Sequence, residues 1–175
     1  MKKIFKVFVC CHKYIHRVED IKARVNKWNL GDYLIFVGGE EEKHLEENVV
    51  QLKCRDLYED LPEKMFAIYG YLADNGYANN YDYFWKIDDD VDFMRWNEGR
   101  QEALVNSLNG LNYAGFKLKS GEGKRGWHIG RVREGSPWFN KRYNGRYPDW
   151  MDGGTTYFLS SKALNKWKNF YKLSE

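Results

Sequence analysis

A chain of 175 residues is long enough for one domain with a buried core and short for two. Its hydrophobic content of 43% and aromatic content of 17% argue against a disordered chain, and its net charge of +3 gives an ordinary surface that points to no particular partner. No segment approaches the roughly 20 apolar residues of a membrane helix, which argues against a transmembrane protein.

The amino terminus, "MKKIFKVFVCCHK", places basic residues before apolar ones, as a signal peptide does. Lys6 interrupts the apolar run and His12 ends it, so the run is too short for a signal-peptide core. Three cysteines fit a reducing cytosol, because Cys10 and Cys11 are adjacent, Cys54 stands alone, and neither a disulfide framework nor zinc-ligand spacing is present. We expect a soluble protein that stays in the compartment where it is made.

The first half of the chain alternates short apolar runs with helical patterns. Runs rich in Val, Ile, Phe and Tyr predict buried strands at 4–11, 32–39 and 49–54. Apolar residues at helical spacing predict a helix within 16–29 and another within 62–76, the second with a proline in its first turn and a glycine at its stop. The resulting order predicts an α/β fold with a largely parallel sheet and helices on both faces.

The stretch "YFWKIDDDVDF" carries the predicted fourth strand straight into three consecutive aspartates, Asp88, Asp89 and Asp90. In an open α/β sheet the ligand crevice lies at the carboxyl ends of the strands, which is where this triplet falls. Because side chains alternate along a strand, Asp88 and Asp90 can face one way and Asp89 the other.

Clustered carboxylates need a cation to compensate their charge. Hard oxygen ligands suit Mg²⁺, Mn²⁺ or Ca²⁺, and Mg²⁺ or Mn²⁺ held by one or two carboxylates completes its shell with waters and substrate phosphates. The alternative is a solvated acidic turn whose partners are Arg95 or Arg100. The hydrophobic strand that precedes the triplet favours the metal site.

The second half of the chain begins with a predicted helix at about 98–109 and a strand at 113–118. Residues 117–148 then hold nine Lys and Arg against two Glu, with glycines and aromatics interleaved. We predict that this basic segment is irregular, partly a hairpin, and mobile when no ligand is bound. A strand at 155–160 and a helix capped by Ser160 or Ser161 follow.

Three blocks of the sequence resemble the fringe and β1,3-galactosyltransferase family. "DLYEDLPEK" (56–64), "YDYFWKIDDDV" (81–91) and "RYPDWMDGGTTYFLSSKAL" (146–164) look, in that order, like its D-x-Y-x-N-L-x-x-K, Y-x-x-K-x-D-D-D and Y-P-x-Y-x-x-G-x-x-Y-x-x-S blocks, with Asp60 where the family has Asn. The resemblance implies a single GT-A domain over residues 1–175, which is α/β with a mostly parallel central sheet flanked by helices. It leaves open that this domain is the amino-terminal part of a longer protein.

The same resemblance implies an inverting, metal-dependent glycosyltransferase that moves a sugar from a nucleotide-diphosphate sugar, with UDP the first choice, to a glycan hydroxyl. Mn²⁺ or Mg²⁺ would be the cofactor. Asp90 would be the direct metal ligand, and Asp88 or Asp89 would bind the ribose or a metal-bound water, with Asp88 also a candidate metal ligand. The remaining residues implied for the nucleotide pocket, the donor sugar and the acceptor are Asp56, Lys64, Gly153, Gly154 and Tyr157.

The sequence also offers candidates for the catalytic base and for a further metal ligand. An inverting transfer needs a carboxylate that takes the acceptor's proton, and we favour Asp152, followed by Asp149 and Asp92; Asp152 could instead cap the turn before the next strand. His128, the only His after the triplet, is a candidate metal ligand, against an exposed or core His.

The basic segment could close over the phosphates of the donor. Lys124, Arg125 and Arg131 would contact the phosphates, and aromatic residues could stack on sugar faces. These aromatic residues are Trp127, Trp138 and Tyr143. The alternative is a solvated basic loop whose aromatics pack on the sheet.

Two other classes of function compete with glycosyl transfer. A metal-dependent nuclease or phosphotransferase also uses an acidic cluster beside basic loops, and a non-catalytic sugar-binding module could share the fold. We favour the transferase, with a nucleotide-sugar donor and an oligosaccharide or glycan acceptor as partners, no nucleic acid and no membrane insertion. The family's usual membrane anchor and stem are absent from the sequence, so we expect a cytoplasmic protein of a bacterial cell or a virus-infected host cell.

Overall fold

The chain forms a seven-stranded mixed sheet with helices on both faces. The structure is a computed structural model, which describes residues 2–93, 97–118, 126, 128–145, 150–154 and 156–172. The helices are α1 Val18–Lys27, α2 Leu61–Asp74, α3 Glu98–Ser107 and α4 Ser161–Lys172. The strands are β1 Ile4–Val9, β2 Tyr33–Gly39, β3 Lys43–Glu46, β4 Val49–Lys53, β5 Tyr83–Asp88, β6 Tyr113–Gly115, β7 Lys117–Leu118, β8 Trp150–Met151 and β9 Thr156–Ser160. The strand order is β3-β4-β2-β1-β5-β9-β6, and β7 and β8 form a separate pair.

The four strands at the centre of the sheet, β4, β2, β1 and β5, are parallel to one another. All six residues of β1 are buried, as expected of a parallel strand that is covered on both faces. The predicted α/β fold is confirmed, and the three outer pairings are antiparallel. The sequence did not predict β3, because its exposed and charged residues form a hairpin edge without an apolar pattern.

Each face of the sheet is covered by two helices. On one face, residues of α1 and α3 pack against β1, β2 and β5, and Ile21 at the centre of this cluster is fully buried. On the other face, residues of α2 and α4 form a second cluster around the fully buried Ile68 and Leu72. Burial of a side chain of this size stabilises the fold by about 1.5–3 kcal/mol. The packing holds the strand ends, and the residues that follow them, in fixed relative positions.

Lys6 is a charged residue inside this core. It lies in the middle of β1, is 4% exposed, and donates a hydrogen bond from Nζ to the carbonyl oxygen of Ile4 at 3.0 Å. Burial lowers the pKa of Lys6 to about 8, and the nearby carboxylate of Asp32 opposes this shift. Lys6 therefore destabilises the folded state when it is charged.

The carboxy-terminal elements differ from the prediction at residues 113–118 and at β8, which was not predicted. The strand predicted at 113–118 is two short strands, β6 and β7, which separate at Phe116 and pair with different partners. The predicted cap of the last helix is Ser160, whose Oγ accepts a hydrogen bond from the N–H of Ala163 at 3.1 Å. Among the described residues, no helix combines the length and the apolar character that crossing a membrane requires.

Candidate active site

An open cleft of about 1220 Å³ lies where the central parallel strands end. Its walls come from the loop after β1, the glycines that end β2, and the segment Cys54–Leu57 after β4. The aspartate triplet follows β5, the parallel neighbour of β1, so it lies at the same edge of the sheet. The aspartate triplet therefore lies at the carboxyl ends of the strands, which is the position predicted from the sequence.

Asp56 is the organising carboxylate of the cleft. Its Oδ2 accepts hydrogen bonds from the backbone N–H of His12 at 2.6 Å and of Gly38 at 3.1 Å, and its Oδ1 lies 2.6 Å from Nζ of Lys64. Burial acts to raise the pKa of Asp56, but the Lys64 ammonium and the two backbone donors outweigh it and hold the pKa below its usual value. Asp56 thus ties together three strand ends as an ionised carboxylate.

Lys64 supplies the charge that makes this arrangement possible. It projects from α2, is 2% exposed, and also donates to the carbonyl oxygen of Cys10 at 2.5 Å. The sequence predicted that Asp56 and Lys64 build one pocket, and the structure brings them into an ion pair.

Gly38 and Gly39 bring the end of β2 close to its neighbours. A Cβ atom on Gly38 would lie 2.7 Å from Cβ of Asp56, and one on Gly39 would lie 2.4 Å from Cδ of Gln51. No larger residue fits at either position without displacing these side chains. Their role was not predicted from the sequence, although a pair of glycines at a strand end is a signal of close approach.

Asp88 is paired with a buried lysine from its own strand. Its Oδ1 lies 2.5 Å from Nζ of Lys86, whose side chain is 3% exposed. Burial raises the pKa of Asp88; Lys86 opposes the shift, while Asp90 and Asp89 add to it. Lys86 therefore offsets part of the cost of placing three carboxylates together.

Asp89 meets a different set of residues. Its Oδ1 lies 3.1 Å from Nη1 of Arg17, and the Sγ of Cys10 donates to its Oδ2 at 3.6 Å. Burial, followed by the charge of Asp89, raises the pKa of the Cys10 thiol to about 12, so this cysteine stays protonated. Among the described residues, the arginine that pairs with the triplet is Arg17 and not Arg100, and Arg95 lies outside the described residues.

Asp90 is exposed and forms no hydrogen bond or ion pair within the described part of the chain. Of the three aspartates it is thus the one whose carboxylate has no cation partner among these residues. The described residues contain no group of three or more His, Cys, Asp or Glu side chains that could hold a metal ion by themselves. A metal bound here would need oxygen ligands from substrate or water in addition to Asp90.

Among the described residues, His128 and the triplet do not form a group that could hold a metal ion. Its Nε2 lies 2.5 Å from the carbonyl oxygen of Lys141. Because a carbonyl only accepts, this contact requires the proton on Nε2. The contact links two points of the basic segment.

Asp152 lies in a tight turn between β8 and β9. Its Oδ1 accepts a hydrogen bond from the N–H of Gly154 at 3.1 Å, and its carbonyl accepts one from Thr156 at 3.2 Å. The carbonyl of Gly153 accepts a hydrogen bond from Lys86, which joins this turn to the strand that carries the triplet. The turn-capping role that we considered for Asp152 is present, and it places the carboxyl group beside the link to the triplet. Asp149, the second candidate base, lies outside the described residues.

Tyr157 is partly buried on β9, close to Lys86. Its hydroxyl hydrogen bonds to the hydroxyl of Tyr69, and Nζ of Lys86 lies 5.7 Å from the centre of its ring. Burial raises the pKa of Tyr157, which remains a neutral phenol. Its contacts with Tyr69 and Lys86 place it next to the strand that carries the triplet, and its role near the donor sugar stays a prediction.

The described part of the basic segment is irregular apart from β7, and two of its arginines contact a turn beside the cleft. Nε of Arg133 lies 2.9 Å from Oε1 of Glu59, and the guanidinium of Arg131 lies 5.8 Å from the ring centre of Tyr58. Both contacts fall on the 3₁₀ turn that follows Asp56 in the chain. The candidate phosphate ligands Lys124 and Arg125, and the aromatic Trp127, lie outside the described residues.

Two residues of the site, Lys86 and Arg17, were not predicted from the sequence. Lys86 interrupts an otherwise apolar strand, which is a signal of a buried charge with a partner. Arg17 gave no signal, because its contact with Asp89 joins residues 72 positions apart in the chain.

Comparisons with known proteins found one family model and similar solved structures. The sequence model of the galactosyltransferase family matches residues 32–174. One solved structure that matches is described as a glycosyltransferase involved in the glycosylation of the major capsid of PBCV-1; it shares 16% identity, with a TM-score of 0.49 over 99% of this chain and 67% of that chain. No curated protein matches the chain.

Proposed function

Because the chain belongs to the galactosyltransferase family and is a glycosyltransferase, we propose that it is a metal-dependent, inverting enzyme that transfers a sugar from a UDP-sugar to a glycan hydroxyl. The observation that carries the metal dependence is the state of the triplet. Asp88 and Asp89 each have a cation partner, whereas Asp90 has none among the described residues and is exposed.

The donor atoms present fit Mn²⁺ or Mg²⁺. Asp90 offers hard carboxylate oxygens, and Mg²⁺-like ions are often held by one or two carboxylates together with substrate phosphates and waters. When bound, the metal would neutralise the charge that develops on the departing nucleoside diphosphate.

The cleft beside Asp56 is the proposed place for the nucleotide. Its volume of about 1220 Å³ is ample for a nucleoside diphosphate, and Asp56 fixes the backbone of His12 and Gly38 on its walls. The triplet lies along the same strand-end edge, so a nucleotide in the cleft would direct its diphosphate towards Asp90. Arg131 and Arg133 dock beside the cleft and add positive charge near the proposed path of the phosphates.

Asp152 is the proposed base that accepts the proton of the attacking hydroxyl. The Gly153 and Gly154 positions leave room, since a Cβ on Gly153 would meet no atom within 4 Å. The hydrogen bond from Gly154 orients the carboxyl group, and the link from Lys86 to Gly153 sets its position relative to the triplet. Inversion requires the base on the side of the donor sugar opposite the diphosphate, and we assign that position to Asp152.

We place the reaction in the cytoplasm. All three cysteines are free thiols, which is typical of a reducing compartment. The glycan acceptor would then be one that is available in a bacterial cell or in a host cell during infection.

The test is calorimetric titration of the purified protein with UDP, GDP and dTDP, each with Mn²⁺ and then with EDTA. We expect Mn²⁺-dependent binding of UDP, which is lost in Asp90→Ala. Asp20→Ala is the matched control, because Asp20 is an exposed carboxylate on α1. Binding of UDP that is unaffected by EDTA would contradict metal dependence, and tighter binding of GDP or dTDP would replace UDP as the donor nucleotide.

A further inference from the structure

Lys86 is a buried cation at the meeting point of three parts of the site. It precedes the triplet on β5, and its Nζ contacts Asp88 Oδ1 at 2.5 Å and the carbonyl oxygen of Gly153. The ring of Tyr157 lies 5.7 Å from the same nitrogen. An ammonium group has three donors, and two of them are directed at Asp88 and at the Gly153 turn.

A lysine at this position is costly for stability alone. Its side chain is 3% exposed, and burying a charged group costs free energy unless it is paired. A buried ion pair is often no more stabilising than a pair of well-packed apolar residues. The pair is therefore better explained by where it places its partners than by the stability that it adds.

The charges of the triplet are divided among different partners. Lys86 lies against Asp88, Arg17 lies against Asp89, and Asp90 has no such partner within the described residues. We propose that Lys86 is a positioning residue, which keeps Asp88 as an ion pair so that Asp90 alone binds the metal, and which fixes the Gly153 turn relative to the triplet. This inference rests on the proposed metal-dependent transfer.

Removal of Lys86 is expected to strengthen metal binding. Removal of Lys86 takes away a positive charge close to the metal position and releases the carboxylate of Asp88. Mn²⁺ should therefore bind more tightly to Lys86→Met than to the wild type, by about tenfold for a like charge removed from a partly solvated site. Lys86→Arg keeps the charge and should bind Mn²⁺ like the wild type. A purely structural role for Lys86 would weaken Mn²⁺ binding or leave it unchanged.

The double variant Lys86→Met with Asp88→Asn separates the two roles. It removes both charges together, which a buried pair tolerates better than the loss of one partner. Because Asp88 is not a metal ligand in this proposal, the double variant should bind Mn²⁺ within about threefold of the wild type. It still lacks the link to Gly153, so its kcat should fall by about tenfold while the KM for the donor changes less.

The experiment is a Mn²⁺ titration of the four proteins without nucleotide, followed by transfer kinetics, with circular dichroism to verify folding. Loss of Mn²⁺ binding in the double variant would show that Asp88 is a ligand and overturn the inference, as would an unchanged affinity in Lys86→Met. If Lys86→Met alone does not fold, the double variant decides. If the wild type binds no Mn²⁺ without nucleotide, the titration is repeated with UDP present. Absence of Mn²⁺ binding there too would overturn the proposed metal dependence itself, which is a distinct result.

Discussion

Replacement of Lys64 by methionine tests the organising ion pair of the cleft. Lys64 is 2% exposed and its Nζ lies 2.6 Å from Asp56 Oδ1 and 2.5 Å from the carbonyl oxygen of Cys10. Methionine fills a similar volume but leaves a largely buried carboxylate without its cation. Breaking a buried pair in this way destabilises a protein by about 3–5 kcal/mol. We expect a loss of this size at neutral pH.

The dependence of this loss on pH identifies its cause. In the wild type the folded-state pKa of Asp56 lies below its usual value, so the stabilising effect of the ionised group is present above about pH 4 and lost as the pH falls through the folded-state pKa. In Lys64→Met, burial is no longer outweighed by the ammonium, and the folded-state pKa rises. The folded variant then takes up a proton before the unfolded chain does, so its stability relative to the wild type recovers as the pH is lowered from neutral towards about 4.

Urea denaturation at a series of pH values measures both effects, with the m-value as a check that the unfolding transition is unchanged. Lys168→Met is the matched control, since Lys168 pairs with Asp74 at 2.9 Å but the Asp74 side chain is 65% exposed. An exposed pair of this kind contributes at most about 1 kcal/mol. If Lys64→Met lost no more stability than Lys168→Met, or if its loss did not shrink on acidification, the role given to the Lys64–Asp56 pair would be wrong.

Three further substitutions test other parts of the argument. Lys6→Met should raise the free energy of unfolding by about 2 kcal/mol at neutral pH. This gain should disappear as the pH rises from 8 towards the ordinary lysine pKa, because the lysine of the folded wild type then loses its charge. A gain that does not depend on pH would contradict the burial of a charge. Gly38→Ala should lower the free energy of unfolding by about 1–3 kcal/mol and weaken nucleotide binding, because its Cβ would lie 2.7 Å from Cβ of Asp56. Its control is Gly99→Ala on α3, which should be neutral or stabilising; thermal unfolding and UDP titration compare the two variants. Ser160→Ala should cost about 1 kcal/mol in urea denaturation through loss of the helix cap, and a change near zero would show that the cap is dispensable.

The sequence predicted the central strands well because they are apolar on both faces, and such runs are recognisable without knowledge of their neighbours. It failed at β3, whose pairing depends on a hairpin, and at the break near Phe116, where two adjacent short strands choose different partners. In the site, the position of the triplet follows from the strand that precedes it. The partners of its carboxylates do not, because Arg17 reaches Asp89 from a segment near the amino terminus.

The partners of the triplet explain how three neighbouring aspartates are tolerated in a folded chain. Their repulsion is reduced because the side chains diverge: Asp88 meets Lys86 on its own strand, and Asp89 meets Arg17 beside α1. Lys86 lies two residues from Asp88 in the sequence, whereas Arg17 is brought to Asp89 by the fold. What is left is a single exposed carboxylate, Asp90, at the strand-end edge that it shares with the cleft. A site with one uncompensated negative charge would bind a divalent cation weakly by itself and more strongly when a diphosphate adds its own charge, which couples the proposed metal to the arrival of the donor.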